Sequence, residues 1–408
     1  MSRATPDRMV LDDDWSDLTR IRRMPDIDLE RLHAYRLGRI RNRLRETGAA
    51  MCLLVNPVSL RYAVNYRAYA LFQSHIPTAY LFVPVEGPVV IYGAIDVAPL
   101  TDESRPARPL SYFDGADELE NNAKLLARDI TTYLREIGTD NRRVAIEYVN
   151  PSITQALESA GLEVIDGVAV SAQARVIKSE DEINCIRWAI AVAEHGIAML
   201  KTALRPGVTE VQLWGLLNYA NLANNGDWHD GRMLASGPRI NPWMQEASSR
   251  TIQRGDLIGY DTDLVGAYGM MCDISRTFVT GNDAPTPAQR DVHQMATEVI
   301  ETNFEMLQAG RSFHDLTFQS MLPDPERYRH YSCLFHGVGQ CDEYPDIVMP
   351  SAWQDFGYDG TLESGMVLTV ESFVGRRDGG EGVKLEIQVL VTDDGPERLD
   401  SSPLDLQL

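Results

Sequence analysis

The chain has 408 residues, 44% of them hydrophobic, a length that exceeds one ordinary core and predicts two globular domains. Its 38 Lys and Arg face 59 Asp and Glu, and the net charge of −21 disfavours nucleic acid and anionic membrane while tolerating a small cationic or zwitterionic substrate. Five cysteines with no CxxC pair argue against a disulfide framework or a zinc ribbon and fit a reducing, cytoplasmic setting; without an apolar leader or a run of ~20 apolar residues, no export or membrane insertion is expected.

Residues 1–24 mix charges without periodicity and read either as an arm that packs on a partner subunit or as a disordered tail. From 28 to 47, Leu29, Leu32, Ile40 and Leu44 recur at helical spacing, and Gly48 stands where that helix should end. Runs 49–55 and 79–93 read as strands, 117–136 as an amphipathic stretch, and 144–147 and 162–165 as further strands. The region 25–173 is therefore expected to be an α/β domain.

A second region, 174–408, opens on ARVIKSEDEI. Ser179 and Glu182 form a capping box ahead of a stripe of Ile183, Ile186, Ile190, Ile197 and Leu200. Thr286 and Pro287 start another helix, which the apolar spacing carries through Val292, Met295, Val299 and Leu307 to Gly310. Between and after these helices come strand-like runs, GDLIGYDTDLV, DISRTFVT, MVLTVESFV and VKLEIQVLVT. The order predicts helices on one face of an antiparallel sheet, and an α+β chain overall.

Charged residues interrupt these strands where apolar ones belong. Asp261 and Asp263 precede Asp273 by 12 and 10 residues, even separations that share a strand face or meet across a hairpin, and GAYG between them supplies the turn. His336 sits in LFHGVGQ, whose glycines permit close approach, while Glu371 and Glu386 break the runs VLTVESF and VKLEIQV. Gathering like charges away from water is costly unless a cation lies among them. Carboxylates with one imidazole suit Mn, Fe, Co or Zn, and bridging carboxylates suit two ions better than one.

These motifs resemble the creatinase/aminopeptidase P superfamily with its pita-bread fold: ARVIKSEDEI, the ASG-then-TI stretch, DISRTF, HGVG, TVES and LEIQVLVT occur in that superfamily's order over about 174–395. The resemblance implies a dinuclear site whose ligands fall on Asp261 or Asp263, or both, with Asp273, His336, Glu371 and Glu386. The superfamily's peptidases add two histidines near the metals, one after ASG and one shortly after HGVG. Neither stands here, where ASGPRINPWMQEASSRTI and HGVGQCDEYP are found. Losing donors aimed at an oxyanion costs ~3 kcal/mol each, which argues against proline-specific hydrolysis.

The same departures resemble the metal-dependent dimethylsulfoniopropionate (DMSP) lyases of that superfamily. This likeness implies Asp342 as base, Tyr331 beside the substrate, iron as the metal and a homodimer. A cationic sulfonium could rest on aromatic faces, for which Trp243 and Tyr344 are carried as substrate-binding residues, with Tyr331, Phe72 and Trp228 also considered. An Xaa-Pro peptidase-like or creatinase-like hydrolase is the alternative, and a catalytically silent binding module on the same fold is a third. Cys341 is expected to pack rather than react, and His75, His229, His293, His314 and His330 to lie outside the ligand set.

Overall fold

A computed structural model describes residues 27–67, 69–93, 100–281, 284–331 and 333–406 of the chain; the arm expected at 1–24 lies outside them. The described residues form two compact units that divide after Arg175, close to the boundary at 173 read from the sequence.

The amino-terminal unit, Asp28–Arg175, carries helix α1 (Leu29–Thr47), which Asp28 caps and Gly48 ends at φ +69°. Its sheet runs β4-β3-β2-β1-β5-β6, from β1 (Met51–Leu54), β2 (Tyr80–Pro84), β3 (Val90–Tyr92), β4 (Glu103–Arg105), β5 (Arg143–Ile146) and β6 (Glu163–Asp166). β1 is antiparallel to β2 and parallel to β5, so the sheet is mixed. Alternate residues of β1 feed two cores: Met51 and Leu53 join Leu126, Ile130 and Tyr133 of helix α2 (Leu119–Glu136), while Cys52 and Leu54 join Ile40 and Leu44 of α1. This is the α/β domain expected, with both faces of its sheet covered. Short helices at Pro57–Val64, Ala70–His75 and Pro151–Ser159 supplement the sequence reading.

In the second unit, Ser179 and Glu182 make the reciprocal capping box in front of helix α3 (Glu180–Ala203). That helix is long and apolar enough to cross a membrane, but 72% of its most apolar stretch is buried in the protein, where it packs on helix α4 (Glu210–Ala223). Helix α5 (Pro287–Phe304) begins at its Thr286 cap and stops short of the expected Gly310; Leu307 is buried from the loop that follows. The strands are β7 (Trp228–His229), β8 (Leu234–Ser236), β9 (Leu257–Asp261), β10 (Leu264–Val265), β11 (Met271–Cys272), β12 (Ser275–Val279), β13 (Tyr328–His330), β14 (Cys333–Val338), β15 (Asp342–Val348), β16 (Val367–Arg376), β17 (Gly382–Thr392) and β18 (Gly395–Arg398). Their described pairings are all antiparallel, in a sheet ordered β15-β14-β16-β17-β18 with β13 on β16, and in two three-stranded sheets β11-β10-β7 and β12-β9-β8. α5 packs on β16 and β17. That contact buries Val292, Ala296 and Ile300 with Val370, Val374, Val383 and Leu385.

A carboxylate cage and its cavity

Two hairpins deliver the charged residues to one place. In the first, Asp261 pairs with Ser275 and Leu264 with Cys272, and continuing that register sets Asp263 opposite Asp273. The turn falls at Gly266–Gly269, where the sequence placed it. DTDLV is not one strand, because the chain breaks between β9 and β10 with Asp263 at φ +37°, a left-handed conformation that Asp tolerates better than most residues. Thr262 holds this break, its hydroxyl donating to Cys272 O and accepting from Ile274 N.

In the second hairpin Glu371 and Glu386 are direct cross-strand partners, a repulsive pairing unless something positive sits between them. Lys384, two residues before Glu386 on the same face, meets part of that need. Its Nζ lies 2.9 Å from Asp261 Oδ2, 2.9 Å from Glu371 Oε2 and 2.8 Å from Glu386 Oε2, and donates to Ser275 Oγ. Burial alone would depress its ammonium, but Asp261, Glu371 and Glu386 outweigh burial and hold its pKa well above the usual lysine value. The sequence reading missed Lys384. The signal was available as polar residues at 384, 386 and 388, spaced by two within an otherwise apolar strand.

His336 enters from β14. Its Nε2 lies 2.9 Å from Glu371 Oε1, 3.5 Å from Asp273 Oδ2 and 3.6 Å from Glu386 Oε1. Burial would lower its pKa, and the two glutamates more than reverse that. Asp261, Asp263 and Asp273 are all pushed up, first by burial and then by neighbouring carboxylates. Glu371 and Glu386 move the other way, because Lys384 and His336 outweigh their burial and, for Glu386, the charge of Glu371.

Within this cluster, Asp261, Asp273 and Glu386 present ligand atoms within 4.8 Å of one another, as do His336, Glu371 and Glu386. A third such group is Asp273, His336 and Asp342. Asp263 belongs to none of these groups but shares a hydrogen bond with Asp273. Asp273 Oδ1 and Glu386 Oε1 are buried without a hydrogen-bond partner, which a divalent cation would provide. Oxygen donors with a single imidazole fit such an ion, and two triads sharing Glu386 fit a bridged pair.

The cage opens into a cavity of about 800 Å³ whose walls include Asp230, Met233, Asp261, Asp263, Asp273, Tyr331, Cys333, His336, Asp342, Tyr344, Asp346, Tyr358 and Glu371. His336 is the only histidine among its described lining residues. Asp342 stands 3.7 Å from His336 Nδ1 and keeps 63% of its side chain accessible. Partial desolvation at the cavity wall, opposed by His336 and reinforced by Glu386 and Asp230, pushes its pKa up to about 6.

The HGVG glycines are there for space: a Cβ on Gly337 would lie 2.4 Å from Tyr344 O, and one on Gly339 would lie 2.2 Å from the Glu343 carboxylate. Glu343 in turn is buried against Lys178 Nζ at 3.1 Å and accepts from Gln340 N, which anchors the turn next to Asp342.

Other sequence-derived residues lie elsewhere. Trp243 is buried against Phe373 and does not line this cavity, and Phe72 belongs to the amino-terminal unit, where it touches Phe113. Trp228 donates to Asp230. His229 backs the first hairpin through Thr262 O, and His293 faces Leu404 O. His314 packs on Phe318 and Trp353. His330 faces Tyr331 O and His75 faces Leu71 O, both on exposed sides of their units. Cys333 holds its proton, since burial and then Glu371 raise its pKa well above the usual thiol value.

Two family models match the chain. Residues 184–393 match the model of metallopeptidase family M24, and residues 36–177 match the creatinase/prolidase N-terminal domain. A protein named dimethylsulfoniopropionate lyase DddP from Roseovarius nubinhibens is 36% identical over 93% of this chain and 87% of its own length. Its namesake from Roseobacter denitrificans is 35% identical over the same shares. The solved Xaa-Pro dipeptidase from Bacillus anthracis superposes with a TM-score of 0.72 at 21% identity, covering 91% of this chain and 99% of that one. The chain therefore belongs to metallopeptidase family M24, with the pita-bread fold behind a creatinase-type amino-terminal domain.

Proposed function

We propose that this protein is a DMSP lyase, cleaving the zwitterion to dimethyl sulfide and acrylate. The observation that carries the reading is Asp342. A carboxylate with a pKa of about 6 stands at the cage beside His336, in a cavity that has no second histidine among its described lining residues to steady a hydrolytic oxyanion. Two relatives at 35–36% identity bear the lyase name, which supports the same reading.

The chemistry follows from these residues. Asp342 takes a proton from the carbon alpha to the substrate carboxylate; the C–H electrons become the C=C bond of acrylate, and the C–S pair departs with sulfur as neutral dimethyl sulfide. The leaving group therefore needs no general acid. At a pKa of about 6, Asp342 is ionised at neutral pH yet more basic than an ordinary carboxylate. Asp261, Asp263, Asp273, His336, Glu371 and Glu386 would hold two divalent ions, for which we propose iron, with Mn, Co or Zn as substitutes. Bound ions supply Lewis acidity toward the substrate carboxylate. Tyr331 closes the wall beside the cage, its pKa raised by burial and then by Glu371, so its hydroxyl remains a donor at neutral pH. A cytoplasmic homodimer acting on a small zwitterion, with no nucleic-acid or membrane partner, is the setting we propose; the net charge of −21 supports the last two points.

The test is headspace detection of dimethyl sulfide from DMSP with protein loaded separately with Fe, Mn or Zn, alongside metal analysis. Acrylate and dimethyl sulfide in equal amounts are expected. No product with any metal, together with turnover of Xaa-Pro dipeptides or creatine-like amidines, would transfer the assignment to the hydrolase alternative.

A further inference from the structure

We propose that the substrate's cationic end is held by Tyr344, Tyr358 and Asp346, and not by the Trp243 and Tyr331 faces that the sequence also offers. The inference rests on the lyase reading for the identity of the cation, and on geometry for its place.

Two aromatic faces are already taken. Lys384 Nζ sits 5.9 Å from the Trp243 ring centroid and 5.8 Å from that of Tyr331, while also bound to three carboxylates. A second cation on those rings would meet a buried ammonium at close range, in surroundings that screen charge poorly. Trp243 lies outside the cavity lining in any case, whereas Tyr344 and Tyr358 belong to it.

Those two rings form a fixed aromatic wall. They stack at 5.7 Å with 27° between planes, and Phe313 abuts both edge-on, at 5.8 and 5.9 Å. Tyr358 is further pinned by its hydroxyl, which accepts from Asp346 N and donates to Asp346 O, both at 2.8 Å. The aromatic wall and the Asp346 backbone therefore cannot move independently. The Asp346 carboxylate supplies the negative charge, oriented by the Cys333 thiol, which donates to its Oδ1 at 3.3 Å.

The strand puts this wall at the right distance from the base. Asp342, Tyr344 and Asp346 alternate along β15 with buried Glu343, Pro345 and Ile347, so the three share the face that lines the cavity. Across the pairing, His336 opposes Asp346 while Gly337 opposes Glu343, a bulge that takes up Tyr344 and Pro345 and re-aims the strand beside the cage. In DMSP the sulfur lies one methylene beyond the carbon that loses its proton, so a cation site must begin within one strand repeat of the base. Residues two apart on a strand are about 6.6 Å apart, which matches. An onium ion resting on an aromatic wall beside a carboxylate is held by the ring quadrupole and by the opposite charge together.

The test compares binding of 3-(trimethylammonio)propionate with its neutral carbon isostere, 4,4-dimethylpentanoate, to metal-loaded protein by calorimetry. Wild type should prefer the cation by about tenfold or more. Tyr344→Leu, Tyr358→Leu and the isosteric Asp346→Asn should each erode that preference, weakening the cation several-fold more than the isostere. Equal binding of both compounds to wild type, or variants that weaken both alike, would overturn the proposal. Since Asp346→Asn changes charge and not shape, it keeps the test decisive if a leucine variant fails to fold. Dimethyl sulfide release without a cation preference would remove this site and leave the lyase reading intact. A cation preference without dimethyl sulfide would keep the site and assign it to a different onium carboxylate.

Discussion

Two charged clusters are buried within the same domain, one residue apart on β12, and they follow opposite rules. Arg276 points to one side. Its guanidinium donates to Asp400 Oδ1 at 2.5 Å and to the carbonyls of Ser275, Glu386, Ser402 and Pro403. Asp400 is also bound by Arg398 and by Gln388 N, so every charge in this clamp has opposite charge or donors around it. Ser275, on the other side of β12, belongs to the cage, where among the described residues six carboxylates share Lys384 and His336 as their cationic neighbours, and where Asp273 Oδ1 and Glu386 Oε1 have no hydrogen-bond partner. A balanced buried cluster fastens the carboxy-terminal segment. An overcharged one has carboxylates left over for a cation, as the proposed dinuclear site requires.

The comparison breaks most sharply at Asp342. Asp342→Asn should cut kcat for dimethyl sulfide release by about a thousandfold, while melting temperature and metal content stay at wild-type values. A matching loss of metal would instead make Asp342 a ligand, a role that its closeness to Asp273 and His336 allows.

Stability is the next contrast. Asp400→Leu strands the fully buried Arg276 and should cost about 3–5 kcal/mol, read by urea unfolding, with no recovery on adding metal. Lys384→Met in the cage should also destabilise the chelated protein, but saturating Mn²⁺ should restore most of the loss, because an ion that binds only the folded cage takes over the cationic role. Equal metal rescue of both variants, or of neither, would erase the distinction between clamp and cage.

A smaller effect lies at the join between cage and cavity. In Gly337→Ala the new Cβ would meet Tyr344 O at 2.4 Å, so β14 and β15 must part. A loss of about 1–3 kcal/mol is expected, together with a lower kcat/KM because Tyr344 and Asp342 ride on the displaced strand. Unchanged kcat/KM in a destabilised Gly337→Ala protein would separate strand packing from the site.

Much of the cage was legible in the sequence because strand periodicity is strict. Carboxylates at 261, 263 and 273 around GAYG had to share a strand face or meet across a hairpin, and Glu371 and Glu386 stood out against apolar neighbours. Lys384 was overlooked because a lysine in a strand reads by default as solvent-facing, although its spacing of two from Glu386 puts it on the same buried face. Tyr344 was carried as a substrate-binding residue, but its stacking on Tyr358 was hidden. Tyr358 lies 14 positions on, outside any helix or strand, and the bulge beside Tyr344 depends on pairing with β14. The end of α5 at Phe304 is likewise tertiary, since Leu307 satisfies the helical spacing yet is buried from a loop.

The pH dependence of stability supplies the smallest and most general test of the contrast. Asp261, Asp263 and Asp273 have pKa values above the ordinary 3.8, so the folded chelated protein retains protons that the unfolded chain has released. Their contribution is complete below about pH 4 and is lost as pH rises through the folded-state values. His336, raised above 6.5, acts in the same direction at higher pH; Glu371 and Glu386, lowered, are ionised in both states above about pH 5 and matter only in acid. The melting temperature of chelated protein should therefore fall as pH rises above about 5. With saturating Mn²⁺ the slope should flatten or reverse, because ion binding favours deprotonated ligands. A chelated protein whose stability rises over that window would mean that the cage is balanced internally, as the clamp is, and that its carboxylates are not held in reserve for an ion.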